Sequence, residues 1–209
     1  MNAPRLSIVS TLYRSRPFLE RFLAESVQAA STLVGDDFEI VLVNDGSPDD
    51  SLACALRQRA AIAQMVVIDL SRNFGHHAAM QAGLAHARGE LIFLIDCDLE
   101  VAPATLADFH AKLVASGADL VYGYQEARKG GWFERASGGL FWAGLNRLSS
   151  VPIAANQLTE RLMTRRFVQA LLRLGDHSLF LGGMMSWTGY LQLGLPVAKG
   201  LRQARSSYT

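Results

Sequence analysis

The sequence has little of what marks several protein classes. Among its 209 residues there are only two cysteines, Cys54 and Cys97, and their separation fits neither a disulfide framework nor a thiolate metal site. A reducing compartment is therefore expected. No Gly-x-Gly-x-x-Gly motif follows the first predicted strand, which argues against a dinucleotide-dependent oxidoreductase. The N-terminus lacks the long apolar run and cleavage site of a secretory signal, so none is predicted.

Long hydrophobic runs are also scarce. The nearest is Leu179 to Ala198, which is uncharged but contains five glycines or prolines. A membrane span needs about 20 predominantly apolar residues, so this segment is predicted to be a buried strand and helix. With 50% apolar and 19% charged residues, the chain has the composition of a globular domain.

Charge is unevenly distributed along the chain. Residues 1–127 carry a net charge of −7 and residues 128–209 carry +8. Two interpretations remain open: ordinary solvated surfaces, or a second half that meets a phosphate or an acidic membrane surface.

Apolar runs alternate with helical patterns through the first half. Strands are predicted at 6–13, 38–43, 65–69, 91–95 and 120–122. Helices are predicted near Pro17, from Ser47 as a capping residue with Asp50 in the capping-box position, at 76–87, and after Pro103. Alternation of this kind predicts an α/β fold with a mostly parallel sheet and helices on both faces. Glycines mixed with aromatics at 130–142 favour core packing over a lipid-facing helix.

Acidic residues follow two of the predicted strands directly. Asp45 comes just after the second strand, and Asp96 and Asp98 come just after the fourth. Ligands of parallel sheets bind beyond the carboxyl ends of the strands, so these clusters are expected on one edge. Two carboxylates one residue apart suit a hard divalent cation that bridges to phosphates, and Glu100 offers a third oxygen ligand. This spacing predicts a metal site made of Asp96, Asp98 and Glu100.

Other polar residues near these strands have competing interpretations. Asp45 is either a turn residue or a carboxylate that accepts a hydrogen bond from a nucleotide base. Arg72 could face a diphosphate. His76 and His77 are adjacent on a helix and do not share a face, which favours helix-start packing or capping over metal binding.

Three segments together resemble family 2 glycosyltransferases: 43–51, 71–75 with Ala82 and Gly83, and 95–100. Within that family the chain is similar to the polyprenyl-phosphate glycosyltransferases, the group that includes dolichyl-phosphate mannose synthases. The resemblance covers nearly the whole chain. It implies a GT-A fold and an inverting transfer, dependent on Mg²⁺ or Mn²⁺, of a sugar from a UDP- or GDP-sugar to polyprenyl phosphate in cell-envelope glycan synthesis.

The resemblance also implies roles for particular residues. The residues matched to base contacts are Thr11, Leu12, Tyr13 and Asp45, and those matched to ribose, metal and diphosphate contacts are Asp96 and Asp98. Arg202 matches a basic loop that closes over the phosphates, and Arg161 matches an acceptor-side arginine. Beyond the resemblance, our hypothesis adds Arg72 for the phosphates of the donor and Arg135 for the acceptor phosphate. Of these, Asp96, Asp98, Arg161 and Arg202 are the expected catalytic residues.

The second half departs from the family pattern. Thr159 stands where some relatives have an acidic residue. The neighbouring Glu160 is a candidate base, although neighbouring residues of a strand point to opposite faces of the sheet. A phosphate acceptor is already anionic and needs no base. A hydroxyl acceptor and a non-catalytic nucleotide-binding remnant remain the alternatives. Residues 183–187 lack the Gln-x-x-Arg-Trp signature of processive synthases.

The domain prediction is a single unit, 1–209. It combines a nucleotide-sugar half, 1–127, with an acceptor half, 128–209, that ends before the membrane-associated helices usual in the family. The expected location is the cytoplasm, peripheral at the inner face of the membrane. No nucleic-acid partner is expected, and a homo-oligomer is compatible with the sequence.

Overall fold

The computed structural model describes residues 3–125, 156–175 and 181–200, which form seven strands and six α-helices. The strands are β1 (Leu6–Leu12), β2 (Phe38–Asn44), β3 (Met65–Asp69), β4 (Leu91–Leu94), β5 (Leu120–Tyr124), β6 (Gln157–Thr164) and β7 (Gln192–Pro196). The helices are α1 (Arg16–Val34), α2 (Ser51–Arg59), α3 (His76–His86), α4 (Leu106–Ser116, preceded by a 3₁₀ turn, Pro103–Thr105), α5 (Arg165–Arg173) and α6 (Leu181–Trp187).

The seven strands form one mixed sheet in the order β3-β2-β1-β4-β6-β5-β7. Only β6 runs antiparallel to its neighbours, β4 and β5; the other pairs are parallel. The predicted α/β class with a mostly parallel sheet is confirmed.

Helices cover both faces of the sheet, as predicted. Ile8 of β1 packs into a core with α1, α2 and α4, and the next residue, Val9, packs into a second core with α3, α5 and α6. Every residue of β1 and β2 is buried, as expected for central strands that are covered by helices on both faces.

The predicted helix start at Ser47 is wrong, because α2 begins at Ser51 without a side-chain cap. The Ser47 hydroxyl instead donates to Asp49 Oδ1 at 2.6 Å, and the same oxygen accepts from the Ser51 amide. Asp49 Oδ2 accepts from the amide of Arg16 at the start of α1. Ser47 and Asp49 therefore close a turn and join it to α1. The Ser47 hydroxyl is bonded within this turn and does not cap a helix.

In the second half, α6 and β7 confirm the helix and strand expected within 179–198. Across the described ranges, no helix combines the length and the hydropathy needed to cross a bilayer. The glycine- and aromatic-rich segment 130–142 lies outside the described residues.

The strands that carry the predicted site end at one edge of the sheet. Leu12 of β1 pairs with Asn44 of β2, and Val9 of β1 pairs with Leu94 of β4. We call this edge, where β1, β2 and β4 end, the carboxyl edge. Helix α3 packs closely on β1 because Gly83 has no side chain, and a Cβ there would lie 2.5 Å from Val9 Cγ1.

Candidate active site

Thr11, His76 and Asp96 form a linked set at the carboxyl edge. Thr11 Oγ1 is 3.1 Å from His76 Nδ1, and His76 Nε2 is 3.3 Å from Asp96 Oδ1. Burial lowers the pKa of His76, although the negative charge of Asp96 acts in the opposite direction. Asp96 thus has a fixed partner on the adjoining helix.

The structure corrects the interpretation of His76 as a packing or capping residue. His76 is the first residue of α3, the N-cap position belongs to Gly75, and its ring reaches Asp96 across the edge. The position of His76 in the sequence could have indicated this contact. Helix α3 follows β3, which is parallel to β2, so its first turn begins near the carboxyl edge. His77 is exposed, with its ring centroid 6.1 Å from that of His76.

Asp45 fastens the loop 71–75 to the end of β2. Its carboxylate is completely buried and accepts from the amides of Phe74 at 2.7 Å and Gly75 at 3.1 Å. Gly46 has φ 58°, and a Cβ there would lie 2.5 Å from the Asn73 amide nitrogen. Only glycine therefore lets the loop pass this closely. The base-binding role of Asp45 stays a prediction.

The predicted nucleotide-contacting residues lie around this loop. Leu12 is completely buried, and its carbonyl accepts from the Asp45 amide at 3.0 Å. Tyr13 is half-buried, with the Arg14 guanidinium 5.6 Å from its ring centroid. Arg72 is exposed and stacks on the Phe74 ring at 4.0 Å. Their contacts with a base or phosphate stay predictions.

Residues 96–100, which we call the acidic turn, follow β4 after a single residue, Ile95. Asp98 Oδ1 accepts from the Glu100 amide at 3.0 Å. Leu99 between them has φ 59°, a left-handed conformation that is costly for a side chain of this size. Burial raises the pKa of Asp98, and the charges of Asp96 and Glu100 act in the same direction. Negative charge is therefore concentrated in this turn.

Lys199 lies against the acidic turn. Its Nζ is 2.7 Å from Glu100 Oε2, and the Gly200 amide donates to the Glu100 carbonyl at 2.8 Å. Burial acts against the charged lysine, yet the hydrogen bond and charge of Glu100 outweigh it and raise the pKa of Lys199. Nothing in the sequence analysis singled out this residue as a partner of Glu100.

The acidic turn suits a divalent cation by donor type, since its carboxylates offer the oxygen ligands that Mg²⁺ and Mn²⁺ accept. Nevertheless, the described part of the chain contains no group of three His, Cys, Asp or Glu residues placed to hold a metal. Asp96 lies against His76 and Glu100 binds Lys199. The metal-binding role of Asp96, Asp98 and Glu100 therefore stays a prediction.

Glu160 of β6 adds a buried carboxyl near the acidic turn. It is 3% exposed, and its Oε2 has no hydrogen-bond partner within the described ranges. Burial raises its pKa to about 7, with the charge of Asp96 as the next contribution. Arg161 pairs with Leu94 at the end of β4, so the register of β6 places the neighbouring Glu160 beside the carboxyl edge.

Arg161, the next residue, has a buried side chain. Its Nη2 donates to the Leu158 carbonyl at 2.7 Å and its Nε to that of Thr159 at 3.1 Å, while Nη1 contacts Met185 Sδ. Burial lowers its pKa to about 10. In this arrangement the guanidinium braces β6 against α6, and acceptor binding stays a prediction. Arg135 and Arg202 lie outside the described residues.

A shallow pocket of 540 Å³ lies beside Arg161, on the side of the sheet covered by α6. It is lined by uncharged residues: Tyr122, Gln157, Ser186, Gly189, Tyr190, Leu191 and Gln192. Aromatic faces combined with amide and hydroxyl groups suit a neutral, hydroxyl-bearing ligand better than an anion.

Together the sheet and its acidic edge define the GT-A fold, the architecture of nucleotide-sugar-dependent glycosyltransferases. The sequence agrees: residues 7–180 match glycosyl transferase family 2, and the chain belongs to that family. It is 41% identical over 205 residues to a Mycobacterium tuberculosis protein assigned by name to the glycosyltransferases. It is 33% identical over 171 residues to the uncharacterized glycosyltransferase YkcC of Bacillus subtilis.

The alignment covers 98% of this chain and 59% of the mycobacterial protein, and 81% of this chain and 52% of YkcC. The chain thus spans little more than half the length of these relatives.

Solved structures agree in fold. The mannosyltransferase PcManGT of Pyrobaculum calidifontis, in complex with GDP-Man and Mn²⁺, matches with a TM-score of 0.67 and 18% identity, covering 100% of this chain and 59% of that one. TarS of S. aureus in complex with UDP-GlcNAc matches with a TM-score of 0.59 and 16% identity, covering 97% and 61%. At such identities the likeness concerns the fold alone.

Proposed function

We propose that this chain is the catalytic part of an inverting, metal-dependent glycosyltransferase that uses a UDP- or GDP-hexose. The observation that carries the proposal is the Asp96-Cys97-Asp98 segment at the end of β4, with Asp96 held by His76 and Thr11. Carboxylates at the carboxyl edge of a parallel sheet are placed where such sheets bind nucleotides.

Different residues of the chain would bind the cation, orient Asp96 and neutralise the phosphates. Asp96 and Asp98 would hold a divalent cation, which when bound would neutralise the departing diphosphate. Thr11 and His76 orient Asp96, so that one of its oxygens is positioned before the donor arrives. Asp45 fixes the loop that carries Arg72, which would offset charge on the phosphates.

For the acceptor we propose polyprenyl phosphate at the cytoplasmic face of a membrane. The phosphate oxygen would attack the anomeric carbon from the face opposite the nucleotide; its new bond forms as the bond to the diphosphate breaks, and the electron pair leaves with the diphosphate. The phosphate is already anionic, in keeping with Thr159 at the position where some relatives have an acidic residue. The +8 charge of residues 128–209 also favours an anionic surface.

A second candidate, transfer to a sugar hydroxyl, is favoured by Glu160. Its unpartnered Oε2 and a pKa of about 7 suit a general base, which works best near the operating pH. The hydroxyl proton would pass to Glu160 as the oxygen bonds to the anomeric carbon. The uncharged pocket beside Arg161 adds a place for a neutral sugar ring.

Donor binding and turnover in Glu160→Gln test these proposals. Thermal shift with UDP, GDP, dTDP and CDP, each with and without Mn²⁺, should identify one nucleotide whose effect depends on the metal. Transfer to short-chain polyprenyl phosphate should persist in Glu160→Gln, whereas transfer to a hydroxyl should fall by about 10²–10⁴-fold with donor binding intact. No shift with any nucleotide would support the non-catalytic alternative and contradict the proposed function.

A further inference from the structure

The uncharged pocket beside Arg161 lies where α6 and the segment after it cover the sheet. Tyr122 of β5 and Gln157 of β6 line it from the sheet, and Ser186 and Tyr190 line it from α6 and the segment that follows. Its volume of 540 Å³ falls within the range of sites that bind small molecules. The pocket therefore has room for a short saccharide.

Gly194 of β7 makes room for two tyrosine rings on this face of the sheet. A Cβ at residue 194 would lie 2.9 Å from Cδ1 of Tyr124 and 3.3 Å from Cε2 of Tyr122, so both rings stand where a side chain would project. Tyr122 packs against the same core as α6, which places the rings on the side of the pocket. Both tyrosines are only half-buried, so part of each remains open to a ligand.

Tyr190 contributes another ring, and its neighbours fix the position of that ring. Phe167 packs edge-on against it with ring centroids 5.9 Å apart, and the Arg166 guanidinium lies 5.7 Å from the Tyr190 centroid. Arg166 is itself held by an ion pair with Asp119. A ring that is already fixed loses little conformational freedom when a ligand packs on it.

Amide and hydroxyl groups accompany these rings. Gln192 Nε2 donates to the Met185 carbonyl at 2.6 Å, and the Ser186 hydroxyl donates to the Gly182 carbonyl at 3.1 Å. These bonds fix the two side chains, while Gln192 Oε1 and Ser186 Oγ can still accept hydrogen bonds. Oriented acceptors next to aromatic faces match a sugar ring, which carries C–H groups on its faces and hydroxyls at its rim.

The charges around the pocket disfavour an anionic ligand. All of its lining residues are uncharged. Arg161 donates to backbone carbonyls, and Arg166 is paired with Asp119. A phosphate or carboxylate would lose water here without gaining a cation, and a purely apolar ligand would leave the amides unpaired. A neutral ligand with several hydroxyls avoids both costs.

We propose that this pocket binds a neutral saccharide at a site separate from the donor site. Gln157 pairs with Tyr124 at the end of β5 and Gln192 pairs with Leu120 at its start, so the pocket runs along this strand, whereas the acidic turn follows β4. Binding there needs neither nucleotide nor a divalent cation. The inference therefore goes beyond the proposed function and holds whichever acceptor the enzyme uses.

Three substitutions separate the aromatic from the polar contacts. Tyr122→Leu keeps an apolar side chain but removes the aromatic face, so a neutral saccharide should bind about two- to tenfold more weakly. Tyr122→Phe keeps the ring and should bind nearly as tightly as the unmodified chain. Gln157→Ala removes an amide and should weaken binding about fivefold. Gln28→Ala is the matched control, because Gln28 is exposed on α1, which packs on the opposite face of the sheet.

The experiment uses the 209-residue chain without nucleotide or divalent cation. Maltose, cellobiose and N,N′-diacetylchitobiose are titrated in turn, and binding is followed by saturation-transfer NMR. Glucose 6-phosphate is the anionic comparison. Thermal unfolding by circular dichroism checks that each variant is folded, and if Tyr122→Leu is not, Gln157→Ala decides the outcome.

Saturable binding of at least one of these disaccharides, weakened in Tyr122→Leu and Gln157→Ala but not in Gln28→Ala, would support the inference. The inference is refuted if none of them binds, or if both pocket variants bind as tightly as the unmodified chain. Tighter binding of glucose 6-phosphate than of the neutral sugars would also refute it. Donor binding is measured separately with nucleotide and Mn²⁺, so none of these results decides the proposed function.

Discussion

Gly46 offers a direct test of how the loop 71–75 is held at the carboxyl edge. At φ 58°, a Cβ on residue 46 would lie 2.5 Å from the Asn73 amide nitrogen and 2.6 Å from the Arg72 carbonyl carbon, both backbone atoms that cannot rotate away. Gly46→Ala therefore forces either the loop or the end of β2 to shift. The matched control is Gly117→Ala at the end of α4, where φ is 66° and nothing lies within 4 Å of the added Cβ.

The two substitutions share a conformational cost and differ in the clash. A left-handed backbone costs alanine about 1 kcal/mol relative to glycine, so Gly117→Ala should lose about that much. The clash at Gly46 adds about 1–3 kcal/mol, as overpacking does elsewhere. For a domain of this size, 1 kcal/mol corresponds to about 2–4 °C in Tm. We expect a loss of about 2–4 °C for Gly117→Ala and about two to four times that for Gly46→Ala.

Thermal unfolding of the two variants, followed by circular dichroism, measures this difference. Nucleotide binding gives a second readout, since only Gly46→Ala should displace the loop and weaken UDP or GDP binding. Equal Tm losses, or unchanged nucleotide binding in Gly46→Ala, would refute the argument that the Asp45-Gly46 pair holds the loop in place.

Three further predictions concern buried polar groups. The pKa of Glu160 is raised to about 7, against 4.5 for an unperturbed glutamate, so folding favours its neutral form. Its contribution to the free energy of unfolding is therefore full below pH 4.5 and is lost as the pH rises through 7. Glu160→Gln should therefore gain about 2–3 kcal/mol over the unmodified chain between pH 4.5 and 8 in urea unfolding, and a pH-independent difference would contradict this. His76→Ala should lower turnover and Mn²⁺-dependent nucleotide binding while Tm changes by less than about 4 °C, because it removes the partner that orients Asp96; intact turnover would count against that role. Glu39→Gln should lower the free energy of unfolding by about 3 kcal/mol, because the 2% exposed carboxylate binds Arg88 at the opposite edge of the sheet. Nucleotide binding should not change, and a loss of binding as large as the loss of stability would contradict the independence of the two edges.

Much of the fold could be predicted because its signals are local. Apolar-rich segments marked β1, β2 and β4 as strands, and the fully apolar β4 was expected to be buried on both faces. The helical patterns between these segments implied parallel pairing. The acidic residues that follow those strands could be assigned to one edge before any coordinates were known. The helix start at Ser47 failed for a local reason as well, since serine and aspartate close turns as readily as they cap helices.

The site's partnerships could not be predicted in the same way. His76 meets Asp96 because α3 packs onto β1 through Gly83, and adjacent histidines in a sequence carry no sign of that contact. Alternation along β6 left the direction of Glu160 undecided until the antiparallel register with β4 was known. Arg161 looked available for a phosphate, yet the structure directs it into the gap between β6 and α6.

The sequence by itself determined the fold class, the family and the carboxylates at the carboxyl edge, since hydrophobic periodicity and strand-end motifs act over a few residues. Only the tertiary structure decided which groups those carboxylates meet. The Lys199–Glu100 pair joins residues 99 positions apart, and it exists because β7 pairs with β5 and leads residues 197–200 back to the acidic turn. Contacts of that kind depend on the packing of the whole sheet, and no local pattern encodes them.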